Sequence, residues 1–214
     1  MNKVKESKLI QRYTASERLN HWLIALTFVL LAISGLALFH PAFYWLSNVL
    51  GGGVWTRILH PFIGVLMFVC FFLFAARMFR HNLLERRDKE WLKHMGDVLN
   101  DREERVPEVG RYNAGQKLLF FALVLLMIGL LLTGIVMWRS YFAEFFPIWG
   151  IRLATLLHAL FAFLMIVAII VHIYAAIWVK GSVRAMTRGT VTPGWAWKHH
   201  RAWLRQVRGG STHK

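Results

Sequence analysis

LATLLHALFAFLMIVAIIVHIYAAIWV, the run from Leu153 to Val179, decides the fold. It holds 27 residues and no Asp, Glu, Lys or Arg. A helix of about 20 apolar residues already crosses a hydrocarbon core of about 30 Å. Two histidines interrupt the run, His158 and His172. Three further apolar blocks precede it, from about Trp22 to Phe39, Ile58 to Phe79 and Leu118 to Trp138. The whole chain of 214 residues is 57% hydrophobic, and that content is gathered into these blocks, as spanning segments require. The expected fold is therefore all-α, an integral membrane bundle of four transmembrane helices. They are placed over about 21–39, 57–79, 114–138 and 152–179 of one membrane domain, residues 1–214.

The connections have their own signals. His40-Pro41 stops the first block, because proline cannot continue a helix comfortably, and Gly51-Gly52-Gly53 is a flexible break. Residues of about 80–112 carry charges of both signs and read as an exposed loop with room for a short helix. The tail, 180–214, is basic and rich in tryptophan. Its Trp195, Trp197 and Trp203 alternate with Lys198, His199, His200 and Arg201, a pattern expected to lie on a membrane surface. The N-terminus is charged and then apolar, as in a signal peptide. The apolar run is long enough to span and no clear small-residue cleavage site follows, so it reads as a retained helix.

Charge sets the expected topology. Lys3, Lys5, Lys8, Arg12 and Arg18 precede the first block, eight Lys and Arg lie in the 80–112 loop, and eight more follow from Lys180. The other two connections offer Arg57, Arg139 and Arg152. By the positive-inside rule both termini and the long loop are cytoplasmic, which an even number of helices allows. The formal net charge of +15 sits where topology places it, and so points to anionic lipid headgroups and not to nucleic acid. Tryptophans and tyrosines at the block ends, among them Trp22, Trp55, Trp138, Tyr174 and Trp178, form the expected interfacial belt. The single cysteine, Cys70, lies in an apolar run. It excludes an intrachain disulfide and any Cys-clustered iron–sulfur or zinc centre, and packing is its expected role.

Four histidines fall within apolar blocks or at their edges: His21, His60, His158 and His172. A polar ring at membrane depth is costly, and singly each could be a ring bonded to a neighbouring helix. Their arrangement argues for ligands. His158 and His172 are 14 residues apart, about 21 Å along a helix and within about 40° of one face. That spacing suits two haems stacked in opposite leaflets. Depth supplies the second ligand of each, pairing His60 with His158 on the outer side and His21 with His172 on the inner side. His40 is shallower than His60 and adjoins Pro41. A His60–His81 pairing would need about 31 Å against about 21 Å on the fourth helix. His94, His199, His200 and His213 lie among charges and are expected in solvent. Gly35, Gly64, Gly134 and Ala159 would allow close approach of a macrocycle or helix. Without a C-x-x-C-H motif the haem would be non-covalent.

Several segments together resemble a known family. They are Arg12-Tyr13-Thr14 through Glu17-Arg18-Leu19-Asn20-His21-Trp22, Ile58-Leu59-His60-Pro61, Gly110-Arg111-Tyr112-Asn113 with Gly115-Gln116-Lys117, His172-Ile173-Tyr174-Ala175-Ala176 continuing to Gly181, and Trp197-Lys198-His199-His200. They look like the gamma subunit of respiratory formate dehydrogenase, a di-haem cytochrome b, over nearly the whole chain. The resemblance implies two haem b groups held by His21, His60, His158 and His172. It implies a quinone pocket, for menaquinone or ubiquinone, near the inner haem at Asn113, Gly115 and Gln116 beside His172. It also implies a bacterial inner-membrane location and two partner chains. These are an iron–sulfur beta subunit and a catalytic alpha subunit with molybdenum or tungsten, assembled as a trimer of heterotrimers. Formate oxidation would belong to the alpha subunit, leaving this chain electron transfer to quinone. By themselves, Asn113 and Gln116 read as a capping box at the third helix, which can also present donors to a quinone headgroup. The same helix plan would serve a cytochrome b of a nickel–iron hydrogenase or a thiosulfate-type reductase. A haem-free scaffold or transporter would have to explain histidines paired by depth.

Overall fold

The structure is a computed structural model that describes residues 9–100 and 102–209. Lys3, Lys5, Lys8, His213 and Lys214, which enter the expectations above, lie outside the described residues. Four helices are long and apolar enough to cross a membrane: α1 (Ala15–Phe39), α2 (Gly53–Met78, continued by a 3-10 turn to His81), α5 (Ala114–Met137) and α6 (Ile148–Trp178). Between α2 and α5 lie the short helices α3 (Arg86–Lys93) and α4 (Met95–Leu99). After α6 come α7 (Ser182–Arg188), α8 (Pro193–His199) and α9 (Arg201–Gly209). Two short strands, β1 (Ile10–Gln11) and β2 (Thr190–Val191), pair antiparallel with Ile10 opposite Val191 and Gln11 opposite Thr190.

The long helices end within a residue of the apolar blocks but all four start earlier. Thr14 and Glu17 form a reciprocal cap: the Thr14 amide donates to Glu17 Oε2 at 2.7 Å and the Glu17 amide to Thr14 Oγ1 at 3.3 Å. That capping box starts α1 at Ala15, ahead of the apolar boundary, and puts His21 in its second turn. Gly51 and Gly52 adopt left-handed φ of 86° and 98°, which lets the preceding 3-10 segment turn directly into α2 at Gly53. His60 is thus about two turns into α2. Pro147 precedes the start of α6 at Ile148.

The chain divides into two compact units. One, here the bundle unit, comprises Leu19–Arg77 and Phe121–Ile173. Its large side chains face outward: Leu125, Leu156, Phe163 and Ile170 are each more than 60% exposed, as lipid-facing residues are. Its buried residues include Met67, Phe71, Met127 and Met165 beside small and hydroxyl-bearing ones. Thr27, Ser34, Thr56 and Thr133 are buried, and each hydroxyl donates to a carbonyl four residues back on its own helix or turn. Asn20 Nδ2 donates to the Cys70 carbonyl at 3.0 Å, linking α1 to α2. A Cβ at Gly129 would lie 2.7 Å from the Phe161 ring, so glycine is what lets α6 pack so closely on α5.

The other, the terminal unit, comprises the described residues of Met1–Arg18, Met78–Phe120 and Tyr174–Lys214. The 80–112 loop has a small core of Trp91, Val109 and Ala114, with Met95, Val98 and Val106 against it. Lys117, at the start of α5, is buried and donates to Asp88 at 2.8 Å and to the Leu83 carbonyl at 2.9 Å. This loop is folded, where its charge alone suggested solvent.

The tail has a second core of Ala185, Val191, Ala196, Trp203 and Leu204, joined by Ile10, Tyr13 and Trp195. The buried Arg12 guanidinium sits 4.4 Å from the Trp203 ring centre and 5.5–5.7 Å from those of Tyr112, Trp195 and Tyr13. Arg12 also donates to the Arg111 carbonyl. Of the three tail tryptophans, only Trp197 is exposed. His200, expected in solvent, is 3% exposed and its Nδ1–H donates to the Gly110 carbonyl at 2.9 Å. Burial holds its pKa down at about 3, and the neighbouring Arg12 charge adds to that.

Candidate functional site

His21 projects from α1, His60 from α2, and His158 and His172 from α6. In the bundle unit the four rings form two pairs. The His60 and His158 ring centres are 6.4 Å apart with an interplanar angle of 64°. Those of His21 and His172 are 6.3 Å apart at 47°. An imidazole nitrogen binds a metal at about 2.0–2.1 Å and lies about 1.1 Å from its ring centre, so two imidazoles on opposite sides of one metal have centres about 6.3 Å apart. Both pairs have that spacing. Rotation about the shared axis leaves the interplanar angle free.

Among the described residues no group of three or more His, Cys, Asp or Glu could hold a bare metal ion. Two imidazoles fall short of a four-coordinate protein site, but they would suffice for a macrocycle that brings its own four nitrogens. The donor set thus fits haem. The uninterrupted α6 carries both His158 and His172, about 21 Å apart along its axis.

Each ring of the first pair has a hydroxyl on its second nitrogen. Ser34 Oγ, on α1, lies 2.7 Å from His60 Nδ1, and Thr133 Oγ1, on α5, lies 2.8 Å from His158 Nδ1. A glycine follows each hydroxyl. A Cβ at Gly35 would be 3.5 Å from His60 Cε1, and one at Gly134 would be 3.5 Å from His158 Cε1. Gly64 instead faces Leu31. Sequence reasoning picked out the two glycines but missed Ser34 and Thr133. The signal was the Ser-Gly and Thr-Gly dipeptides, each in the helix preceding a histidine helix. His21 differs, since its Nδ1 is buried without a hydrogen-bond partner among the described residues, near the Trp22 and Phe74 rings.

In the terminal unit, Asn113 and Gln116 cap α5 reciprocally. The Asn113 amide donates to Gln116 Oε1 at 3.0 Å, and the Gln116 amide to Asn113 Oδ1 at 2.9 Å. The cap uses both side-chain oxygens and leaves the two NH2 groups as donors. Gly115 lies against Trp91, with 3.4 Å between the ring and the place of a Cβ. The remaining histidines have other contacts. His40 accepts from the Ala42 amide, His81 Nε2 lies 3.4 Å from Arg111 and His94 lies 3.2 Å from Asp97.

Comparison with known proteins shows the family. The sequence model of the prokaryotic cytochrome b561 family matches residues 12–189. The formate dehydrogenase cytochrome b556(fdo) subunit of Escherichia coli (strain K12) is 47% identical over 205 residues, covering 96% of each chain. The nitrate-inducible formate dehydrogenase cytochrome b556(Fdn) subunit of the same strain is 40% identical over 202 residues, covering 94% of this chain and 93% of that one. The formate dehydrogenase cytochrome b556 subunit of Haemophilus influenzae is 44% identical over 197 residues, 92% of this chain and 83% of its own. With four membrane-length helices and a match over most of its length, the chain is a membrane protein that belongs to the prokaryotic cytochrome b561 family, alongside these formate dehydrogenase cytochrome b556 subunits.

Proposed function

We propose that this chain is the di-haem membrane subunit of a formate dehydrogenase complex, carrying electrons from a periplasmic iron–sulfur subunit to quinone on the cytoplasmic side. The observation that carries the reading is the two imidazole pairs, each with the spacing of a bis-histidine axial set. His60 and His158 would hold the outer haem b, and His21 and His172 the inner one. When bound, haem b supplies one-electron redox chemistry. The Lys and Arg bias puts both termini and the 80–112 loop in the cytoplasm of a bacterial inner membrane, and so assigns the pairs to sides.

On this reading Asn113, Gly115, Gln116 and His172 are the quinone-binding residues. The free NH2 groups of the capping box donate to the quinone oxygens, and Gly115 allows a headgroup close to the backbone. Protons for quinone reduction come from the cytoplasm, whereas formate oxidation releases its proton outside. Charge therefore crosses the membrane without a proton channel. The similarity to formate dehydrogenase subunits supports a place in a complex with other formate dehydrogenase subunits; on this reading these are the iron–sulfur beta subunit and the molybdenum- or tungsten-containing alpha subunit, in a trimer of heterotrimers.

The test is haem content of the purified complex together with its co-purifying subunits. Two haem b per chain are expected. His60→Ala and His172→Ala should each remove one haem, and not the same one. Both haems kept in either variant would refute the pairing.

A further inference from the structure

We infer that Ser34 and Thr133 are positioning residues for the His60–His158 pair, locking each imidazole in the tautomer that leaves Nε2 as the ligating nitrogen. The inference rests on the reading of that pair as haem ligands.

Counting protons carries the argument. Ser34 Oγ lies 2.7 Å from the Leu30 carbonyl oxygen and 2.7 Å from His60 Nδ1. Thr133 Oγ1 lies 2.6 Å from the Gly129 carbonyl oxygen and 2.8 Å from His158 Nδ1. Contacts this short need a proton between the atoms, since two facing lone pairs would repel. Each hydroxyl has one proton for two such contacts. A carbonyl oxygen has none to give, so the hydroxyl proton goes to the carbonyl. The proton in the second contact must then come from the ring, and Nδ1–H donates to the hydroxyl oxygen. A neutral imidazole protonated at Nδ1 has its lone pair on Nε2, the arrangement an axial ligand needs.

The same device occurs twice, on different helices. Its second part is the following glycine. Gly35 and Gly134 leave room for the ring edge at 3.5 Å, so the hydroxyl and the bare backbone together set ring rotation. The His21–His172 pair is built differently, because His21 Nδ1 has no hydrogen-bond partner among the described residues. A donated Nδ1–H makes the imidazole more electron-rich and favours oxidised iron. Losing the hydroxyl should therefore raise the midpoint potential of the haem at this pair and leave the other haem unchanged.

The experiment is a redox titration and EPR spectrum of the purified complex carrying Thr133→Val, Thr133→Ser or Ser34→Ala. Valine matches threonine in shape without the hydroxyl, and serine keeps the hydroxyl. The b-type component missing from His60→Ala should titrate at a higher potential in Thr133→Val and Ser34→Ala. Its EPR gmax, which reads the angle between imidazole planes, should also move. Thr133→Ser should restore both, and loss of that haem in Thr133→Val with recovery in Thr133→Ser is the stronger form of the same result. Unchanged potential and gmax in both Thr133→Val and Ser34→Ala overturn the inference. An equal shift of the component missing from His172→Ala does so too, because it marks a general loosening. A parent complex without b-type absorbance, or a His60→Ala complex with both haems, refutes the ligand assignment, a separate result.

Discussion

Thr27 and Thr133 in the bundle unit, and Asp88, Lys117 and His200 in the terminal unit, are all buried, yet their polar atoms are satisfied in different ways. In the bundle unit each hydroxyl turns back to a carbonyl of its own helix, a bond that needs no tertiary partner. In the terminal unit the partners are distant in sequence: Lys117 meets Asp88, and His200 meets Gly110. Where lipid is the solvent, helices can bury polarity locally and spend tertiary contacts on close packing and on the histidines. Where three separate chain segments must be gathered, ion pairs and directed hydrogen bonds specify the arrangement.

The comparison breaks most visibly at Asp88. Asp88→Ala leaves the Lys117 ammonium buried with only the Leu83 carbonyl and a more distant Glu85 carboxylate at 3.6 Å. Breaking a buried pair in this way costs about 3–5 kcal/mol. Hydrogen exchange should show α3 and the start of α5 losing protection while the middle of α6 keeps its own. Uniform protection in the variant would contradict the role given to the pair.

His200 gives a smaller, pH-dependent effect. Its folded pKa is depressed to about 3 from an ordinary 6.5, so the fold favours the neutral ring. Its contribution is complete above pH 6.5 and falls as the pH drops from 6.5 towards 3, by up to about 1.4 kcal/mol per pH unit. His200→Gln should therefore narrow the gap in melting temperature between pH 7 and pH 5. A gap as wide as in the parent would show that another group carries the acid sensitivity.

The smallest effect is expected at Thr27, whose hydroxyl bonds only within α1, to the Leu23 and Ile24 carbonyls. Thr27→Val should change bundle stability by less than about 0.6 kcal/mol, the average for hydrogen bonds between membrane helices. Detergent or denaturant titration reads it. A loss of several kcal/mol would show that local hydroxyl bonds are not the dispensable kind.

The same contrast explains what could be read from the sequence. Apolar block length located the four helices because the bilayer thickness sets it. Helix depth led to the same two ring pairs that the side chains form, because both pairs sit on long uninterrupted helices. The starts of α1 and α2 lay outside the apolar blocks, being set by the Thr14–Glu17 cap and the glycines before Gly53. Ser34 and Thr133 went unread because a threonine in a membrane helix looks alike whether or not a histidine faces it from the next helix. The tail was the least legible part. β1 and β2 are two residues each, too short for an alternating pattern, and they pair across almost the whole chain. Trp203 and His200 are buried against partners distant in sequence, Arg12 and Gly110, and not by their own surroundings in sequence.

The pairing of β1 with β2 also bears on how the chain is made. Ile10 can meet Val191, and Gln11 can meet Thr190, only if both ends of the polypeptide finish on the same side of the membrane. A chain that left one of its four helices uninserted would hold those ends on opposite faces. Arg12 would then lack Trp203, and the tail core would lack Ile10 and Tyr13. The two-residue ladder can therefore close only after the last helix is in place.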